Sequence, residues 1–185
     1  NYNVIGIDNL NDYYSVNLKK YRLKKLKSFK NFTFIKTDLA KNLDLEKIIK
    51  KKKLSVICHL AAQAGVRYSI TNPNIYLKYN IDGFLNILEY CRKNKNTNLV
   101  YASSSSVYGD SNKFPLNEKA NTSRPLSFYA ASKKTNEVMA HSFNQIYGLK
   151  CTGLRFFTVY GPYGRPDMSL FKFCEAIIKE KKINL

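Results

Sequence analysis

Short apolar runs alternate with longer stretches of helical periodicity along the whole chain. Val4–Asp8 (VIGID) is apolar, closes on an acid and reads as a buried strand. Helical spacing follows over residues 16–27. Phe32–Lys36 (FTFIK) alternates like a strand, and residues 43–52 read as an amphipathic helix. Residues 55–60 (SVICHL) form a second buried-strand pattern. Residues 74–93 are helical, with Ile81, Leu85 and Leu88 on one stripe. A strand at 98–103, a long helix at 125–147, a strand at 151–157 and a helix at 170–179 complete the series. No repeat and no low-complexity linker interrupts it.

Strands that alternate with helices predict an α/β fold: a Rossmann-like, doubly wound parallel sheet with helices on both faces. We expect a nucleotide-binding domain over residues 1–160 and the start of a substrate-binding region at 161–185. Ligands of such sheets sit beyond the carboxyl ends of the strands. Asp8, Asp38, Ala61, Ala62, Gln63, Ser104, Phe157 and Thr158 all fall at such ends. Each alone is ordinary loop chemistry, and Asp8 could equally cap a helix.

The chemistry concentrates at Tyr129-Ala-Ala-Ser-Lys133, with four serines, Ser103 to Ser106, upstream after a strand. A tyrosine and a lysine four apart on a helix point the same way. A free phenol titrates near ~10, too high for a base at neutral pH, and a fixed cation nearby lowers that value. A serine hydroxyl at the same place can hold a substrate oxygen. These are the parts of a site that moves a hydride to or from a carbinol carbon. Tyr21 and Lys25 match the same spacing, but no strand and no serines precede them, so that match reads as a surface coincidence.

A dinucleotide fold normally opens with a strand, a glycine-rich loop and a helix, where the pyrophosphate meets the helix N-terminus. None of the eight glycines is arranged that way. An acid normally follows about 20 residues later, at the end of the second strand, and Asp8 resembles it. The expectation is a truncated fold that begins at the second strand. In the order 3-2-1-4-5-6 this leaves a gap mid-sheet with two unpaired edges. We therefore expect a fragment that neither folds well nor binds cofactor alone.

Composition narrows the class. With 185 residues, 44% of them hydrophobic, the chain has material for one globular core. No stretch approaches the ~20 apolar residues of a membrane helix, and no secretion signal is visible. Cys58, Cys91, Cys151 and Cys174 are widely spaced and read as reduced core residues of a cytoplasmic protein. His59 and His141 stand apart from the cysteines, so no metal site is indicated. Asn31 and Asn121 begin glycosylation-type triplets that read as coincidence. The net charge of +18 raises nucleic-acid binding. The lysines, however, lie in helix-like stretches without interleaved aromatics. A solvated basic exterior, suited to an anionic small substrate, is the preferred reading.

Taken together, the segments at 6–14, 59–68, 101–109, 129–133 and 154–168 resemble the extended short-chain dehydrogenase/reductase family, in its branch of nucleotide-sugar epimerases. The resemblance covers essentially the whole chain. It implies NAD as cofactor, a UDP-sugar as substrate and a homodimer when full length. By the resemblance, Asp8 and Asn9 bind the adenosine ribose, with Asn11 and Asp12 nearby, and the acid disfavours NADP. Asp38 and Leu39 flank the adenine. Leu60, Ala61, Ala62 and Gln63 line the pyrophosphate and nicotinamide ribose, on a floor steadied by Asn80. Ser104, Tyr129 and Lys133 form the catalytic trio, with Tyr129 and Lys133 also touching the cofactor. Phe157 meets the nicotinamide. Thr158, Ser104, Ser105 and Ser106 meet the sugar, and Arg67 and Arg165 are candidates for its anionic groups. Both arginines could equally be surface residues.

The implied reaction is 4-epimerisation through a 4-keto sugar, from UDP-glucuronate to UDP-galacturonate. Relatives that dehydrate or decarboxylate carry acids just after the catalytic hydroxyl residue, where this chain has Ser105 and Ser106. UDP-glucose or UDP-N-acetylglucosamine epimerisation, a nucleotide-sugar 4,6-dehydratase and a non-catalytic NAD-binding relative are the alternatives.

Overall fold

Parallel pairing organises every strand of the computed structural model, which describes residues 2–41, 44–111 and 114–183. Strands β1 (Val4–Asp8) and β2 (Phe32–Lys36) pair in parallel and form one sheet, joined by helix α1 (Val16–Leu26). Strands β3 (Val56–His59), β4 (Asn98–Ser104) and β5 (Cys151–Phe156) form a second parallel sheet in the order β3-β4-β5. The chain divides into two compact units. One comprises Asn1–Lys36 with Thr158–Leu185, the other Thr37–Phe157.

The first unit holds β1, β2, α1 and α7 (Ser169–Ile178), and neither helix buries a residue. Ser15 caps α1 through its side chain, a role the sequence left open to Asp8. Tyr21 and Lys25 form the surface pair expected, with the ammonium 5.3 Å from the ring centre.

The second unit carries the core. After the short helices α2 (Leu45–Ile48), α3 (Tyr68–Thr71) and α4 (Pro73–Tyr76), the chain runs through a π-helical segment, Leu77–Asp82, into α5 (Gly83–Lys93). Phe84 is fully buried, and its ring lies 5.4 Å from that of His59 and 5.1 Å from that of Tyr101. It sets the buried stripe of α5: Ile87, Leu88 and Cys91 follow it inward, while Leu85 is exposed. The stripe expected through Ile81 and Leu85 is thus corrected by the aromatic packing. Helix α6 (Phe128–Tyr147) is capped by the Ser127 hydroxyl, and Gly148 ends it in the left-handed region. It packs on β4, on the π-segment and on a 3-10 turn at Ser105–Tyr108.

Further expectations are corrected. The helix expected over 43–52 is only Leu45–Ile48. Lys50 and Lys51 take positive φ, and Asn42 and Leu43 lie outside the described residues. The strands expected to be buried are not: β1 buries no residue and β3 only His59. Val4 and Val56 are exposed. The reason is topological, because β1 and β3 each pair on one side only among the described residues. Of the cysteines only Cys91 is buried, and Cys58 and Cys174 are exposed; all four are free thiols.

Sheets left open on one edge lose backbone bonds and apolar cover together. The 185-residue chain alone is expected to unfold in urea over a broad range without one sharp transition. Cooperative unfolding with ordinary stability, followed by circular dichroism, would contradict this reading.

Candidate functional site

Lys133 is the best-defined member of the candidate site. It is only 4% exposed, and its ammonium donates to the Ala102 carbonyl of β4 at 2.8 Å. Burial lowers its pKa to about 8. An ammonium has three N–H groups, and this contact uses one of them. Tyr129 lies one turn earlier on α6, half-buried, with the ring of the fully buried Tyr76 edge-on at 6.1 Å. The Tyr76 hydroxyl donates to the Gly65 carbonyl at 2.6 Å. Thus the aromatic neighbour of Tyr129 is pinned to the loop after β3.

Ser104 ends β4, two residues beyond the carbonyl that holds Lys133. Its Oγ accepts from the Ser106 amide at 3.2 Å and donates to the Ser106 hydroxyl at 3.2 Å. Ser104 is buried, and Ser105 and Ser106 are half-buried. The turn closes at Gly109, where φ is +62° and a Cβ would sit 2.4 Å from the Arg124 carbonyl oxygen. Only glycine suits that position.

Asn80 holds the β3 loop. Only 1% exposed, it accepts from the Gln63 amide at 2.7 Å and donates to the Gln63 carbonyl at 3.0 Å. Its amide nitrogen also donates to the Ser132 hydroxyl at 2.9 Å. Asn136 donates to the Asn80 carbonyl at 2.7 Å. Leu60 and Ala61 are exposed, Ala62 is half-buried and Gln63 is buried. Asp38 accepts from the Ala40 amide at 3.0 Å, and Asn86 donates to the Leu39 carbonyl at 2.7 Å. Arg67 is exposed at the start of α3, and Phe157 is 61% exposed.

In the first unit, Asp8 accepts from the Leu10 amide at 2.6 Å and Asn9 from the Asn11 amide at 3.0 Å. The Asn11 side chain accepts from Lys19 Nζ at 2.6 Å, and Asp12 is exposed. Thr158 is exposed, while Arg165 is ion-paired with Asp167, which also accepts from the Tyr13 hydroxyl at 3.2 Å. Ser104, Tyr129, Lys133, Gln63 and Asn80 all belong to the second unit, where Lys133 is tied to β4 near Ser104 and Asn80 is tied to both Gln63 and α6. Asp8, Asn9, Asn11, Asp12, Thr158 and Arg165 belong to the first.

Sequence reasoning missed Asn86, Ser132, Asn136, Glu137 and Arg155. The signal available was a polar face on α6 at helical spacing, residues 129, 132, 133, 136 and 137. Among the described residues no cluster of three or more His, Cys, Asp or Glu is placed to hold a metal. No described helix is long and apolar enough to cross a membrane.

The model of the NAD dependent epimerase/dehydratase family matches residues 1–185. The chain is 54% identical to Protein CapI of Staphylococcus aureus over 98% of its own length and 54% of that protein's. It is 50% identical to UDP-glucuronate 4-epimerase 4 of Arabidopsis thaliana, over 98% of the chain and 42% of the relative. Among solved structures it is similar to UDP-glucuronic acid 4-epimerase from Bacillus cereus in complex with UDP-glucuronic acid and NAD. That match has a TM-score of 0.90 and 32% identity, covering 97% of this chain and 56% of the other. The chain thus spans about half the length of the proteins it matches.

The residues present fit the family's cofactor. Spare N–H groups on a desolvated ammonium suit ribose hydroxyls. The carboxylate of Asp8 at a strand end suits a ribose diol and opposes an added phosphate.

Two outcomes follow for the full-length protein. Asn80→Leu orphans both backbone groups of Gln63 and is expected to cost roughly 1–3 kcal/mol for each, read by urea unfolding; an unchanged midpoint would contradict the clamp. His59 is held at about 3 by burial and by the Lys133 ammonium, against an ordinary 6.5. The unfolded chain therefore binds the extra proton between those values. The His59 contribution is whole above 6.5 and is lost as pH falls towards 3, by up to ~1.4 kcal/mol per pH unit. His59→Gln should flatten that slope, and an undiminished slope would refute the assignment.

Proposed function

Since the chain belongs to the NAD dependent epimerase/dehydratase family, we propose that the full-length protein inverts C4 of a UDP-sugar, converting UDP-glucuronate to UDP-galacturonate. The observation that carries this reading is the buried Lys133 ammonium, fastened to β4 two residues before Ser104 and one turn from Tyr129.

Asp8 and Asn9 hold the adenosine ribose, with Asn11 and Asp12 beside them, and Asp38 and Leu39 flank the adenine. Leu60, Ala61, Ala62 and Gln63 line the path to the nicotinamide. NAD, when bound, would supply the acceptor for the C4 hydride and the donor for its return. Tyr129, as phenolate, takes the proton of the sugar 4-hydroxyl, and Lys133 stabilises that phenolate. Ser104 hydrogen-bonds the reacting oxygen. Rotation of the 4-keto sugar presents its other face, and Tyr129 returns the proton as C4 is reduced. No net oxidation occurs, so the cofactor must stay bound throughout.

Ser105 and Ser106 favour epimerisation over dehydration, because neither can take the C5 proton at neutral pH. Their hydroxyls suit a sugar carboxylate, as does the basic field of the chain. Thr158, Arg67 and Arg165 are the further candidates for substrate contact.

Full-length protein should convert UDP-glucuronate faster than UDP-glucose or UDP-N-acetylglucosamine. Tyr129→Phe is expected to lower kcat by roughly 10²–10⁴-fold while the purified protein retains NAD. Near-normal turnover by that variant would remove Tyr129 from the chemistry. Equal rates on all three sugars would remove glucuronate as the preferred substrate.

A further inference from the structure

The proposed chemistry leaves an ion pair on α6 without a role. Glu137 lies one turn beyond Lys133 and two beyond Tyr129. Its carboxylate gathers donors from both neighbouring strands. Arg155 of β5 donates through Nε at 2.8 Å and Nη2 at 2.9 Å, and Ser103 of β4 donates through Oγ at 2.7 Å. Lys134 adds a contact at 3.2 Å. Ser103 and Arg155 are direct partners in the β4–β5 ladder, so they share one face of the sheet. The side chains of Arg155 and Glu137 are only 17% and 14% exposed. Burial opposes ionisation of Glu137, but the bonds from Arg155 and Ser103 outweigh it and hold the carboxyl below its ordinary range.

The same guanidinium reaches the opposite rim. Its Nη1 donates to the Glu118 carbonyl at 3.1 Å, and its carbon lies 4.9 Å from the ring centre of Tyr108. The Tyr108 ring is 6.5 Å from that of Phe157. One cation therefore touches α6 and the serine turn, whose Tyr108 ring in turn neighbours the residue that follows β5.

A partly buried ion pair is a weak source of net stability, since apolar residues of similar volume often do as well. What it supplies is geometry: a bidentate fork fixes both distance and angle. Helix α6 has need of this. Its other buried residues towards the core include Ala130, Ser132 and Ala140, too small to lock a helix against sliding. Asn136 ties α6 to the π-segment and Lys133 ties it to β4 through one long, flexible side chain, whereas Glu137 ties it to both β4 and β5.

We propose that Glu137 and Arg155 are positioning residues that set the register of α6 on β4 and β5, and so the placement of Tyr129 and Lys133 relative to Ser104. This rests on the epimerase reading above for its kinetic consequence. Neither residue takes part in bond making.

The test uses full-length protein and the double variant Glu137→Met, Arg155→Met, which keeps volume but removes the fork. It is expected to fold and to retain NAD, with KM for UDP-glucuronate little changed. Its kcat should fall by roughly 10²-fold, the usual effect of ~1 Å of misplacement. Crystal structures of both proteins should show the separation of Ser104 Oγ and Tyr129 Oη changed by a similar distance. If the double variant fails to fold, Arg155→Lys keeps the charge without the fork, and the same kinetic and structural changes are expected of it. A wild-type kcat per folded molecule, or an unchanged separation, overturns the proposal. If the wild type converts no UDP-sugar, the epimerase reading fails, and the crystallographic separation still decides whether the pair positions the helix.

Discussion

A lysine ammonium withdrawn from water organises the second unit. Desolvation is costly, and Lys133 recovers part of it from one strand carbonyl. Among the described residues the Ala102 carbonyl is its hydrogen-bond partner, and that contact uses one of its three N–H groups. A cation in that condition is a poor contributor to stability and a good receptor for hydroxyl groups. The neighbouring elements are built around it: His59 stays neutral beside it, and the Asn80 clamp stiffens the loop after β3. Helix α6 carries the lysine and the tyrosine on one face.

Beside its apolar core, the second unit is held by polar side chains bonded to backbone. Asn80 satisfies Gln63, Asn136 satisfies Asn80, Asn86 satisfies Leu39 and Tyr76 satisfies Gly65. Buried groups of this kind are expensive to leave unpaired. The bonds from Asn80, Asn86 and Tyr76 hold segments that follow strands, and the bond from Asn136 holds the π-helical segment that carries Asn80.

Much of this was legible in the sequence. The strands showed because their apolar runs are short and bounded, and α6 because its period persists from Phe128 to Tyr147. Tyr129, Lys133 and the serines stood out because four residues of helix put the tyrosine and lysine on one face and because the serine run ends a strand. Burial of β1 and β3 did not follow, since an apolar run shows what a strand could bury and not whether a neighbour is there. The inward stripe of α5 was set by Phe84 meeting rings from two strands, which helical period alone cannot specify. Glu137 and Arg155 stayed hidden for a similar reason. They are 18 residues apart in the chain, and only the packing of α6 on the sheet makes them neighbours.

The contact of Gly109 with Arg124 joins the two ends of the intervening residues at their base. Backbone meets backbone there, so the junction does not depend on what the enclosed segment contains. Lengthening a closed excursion is cheap, about 0.6 kcal/mol for each doubling. Insertions and deletions inside it can therefore accumulate with little disturbance to the serine turn.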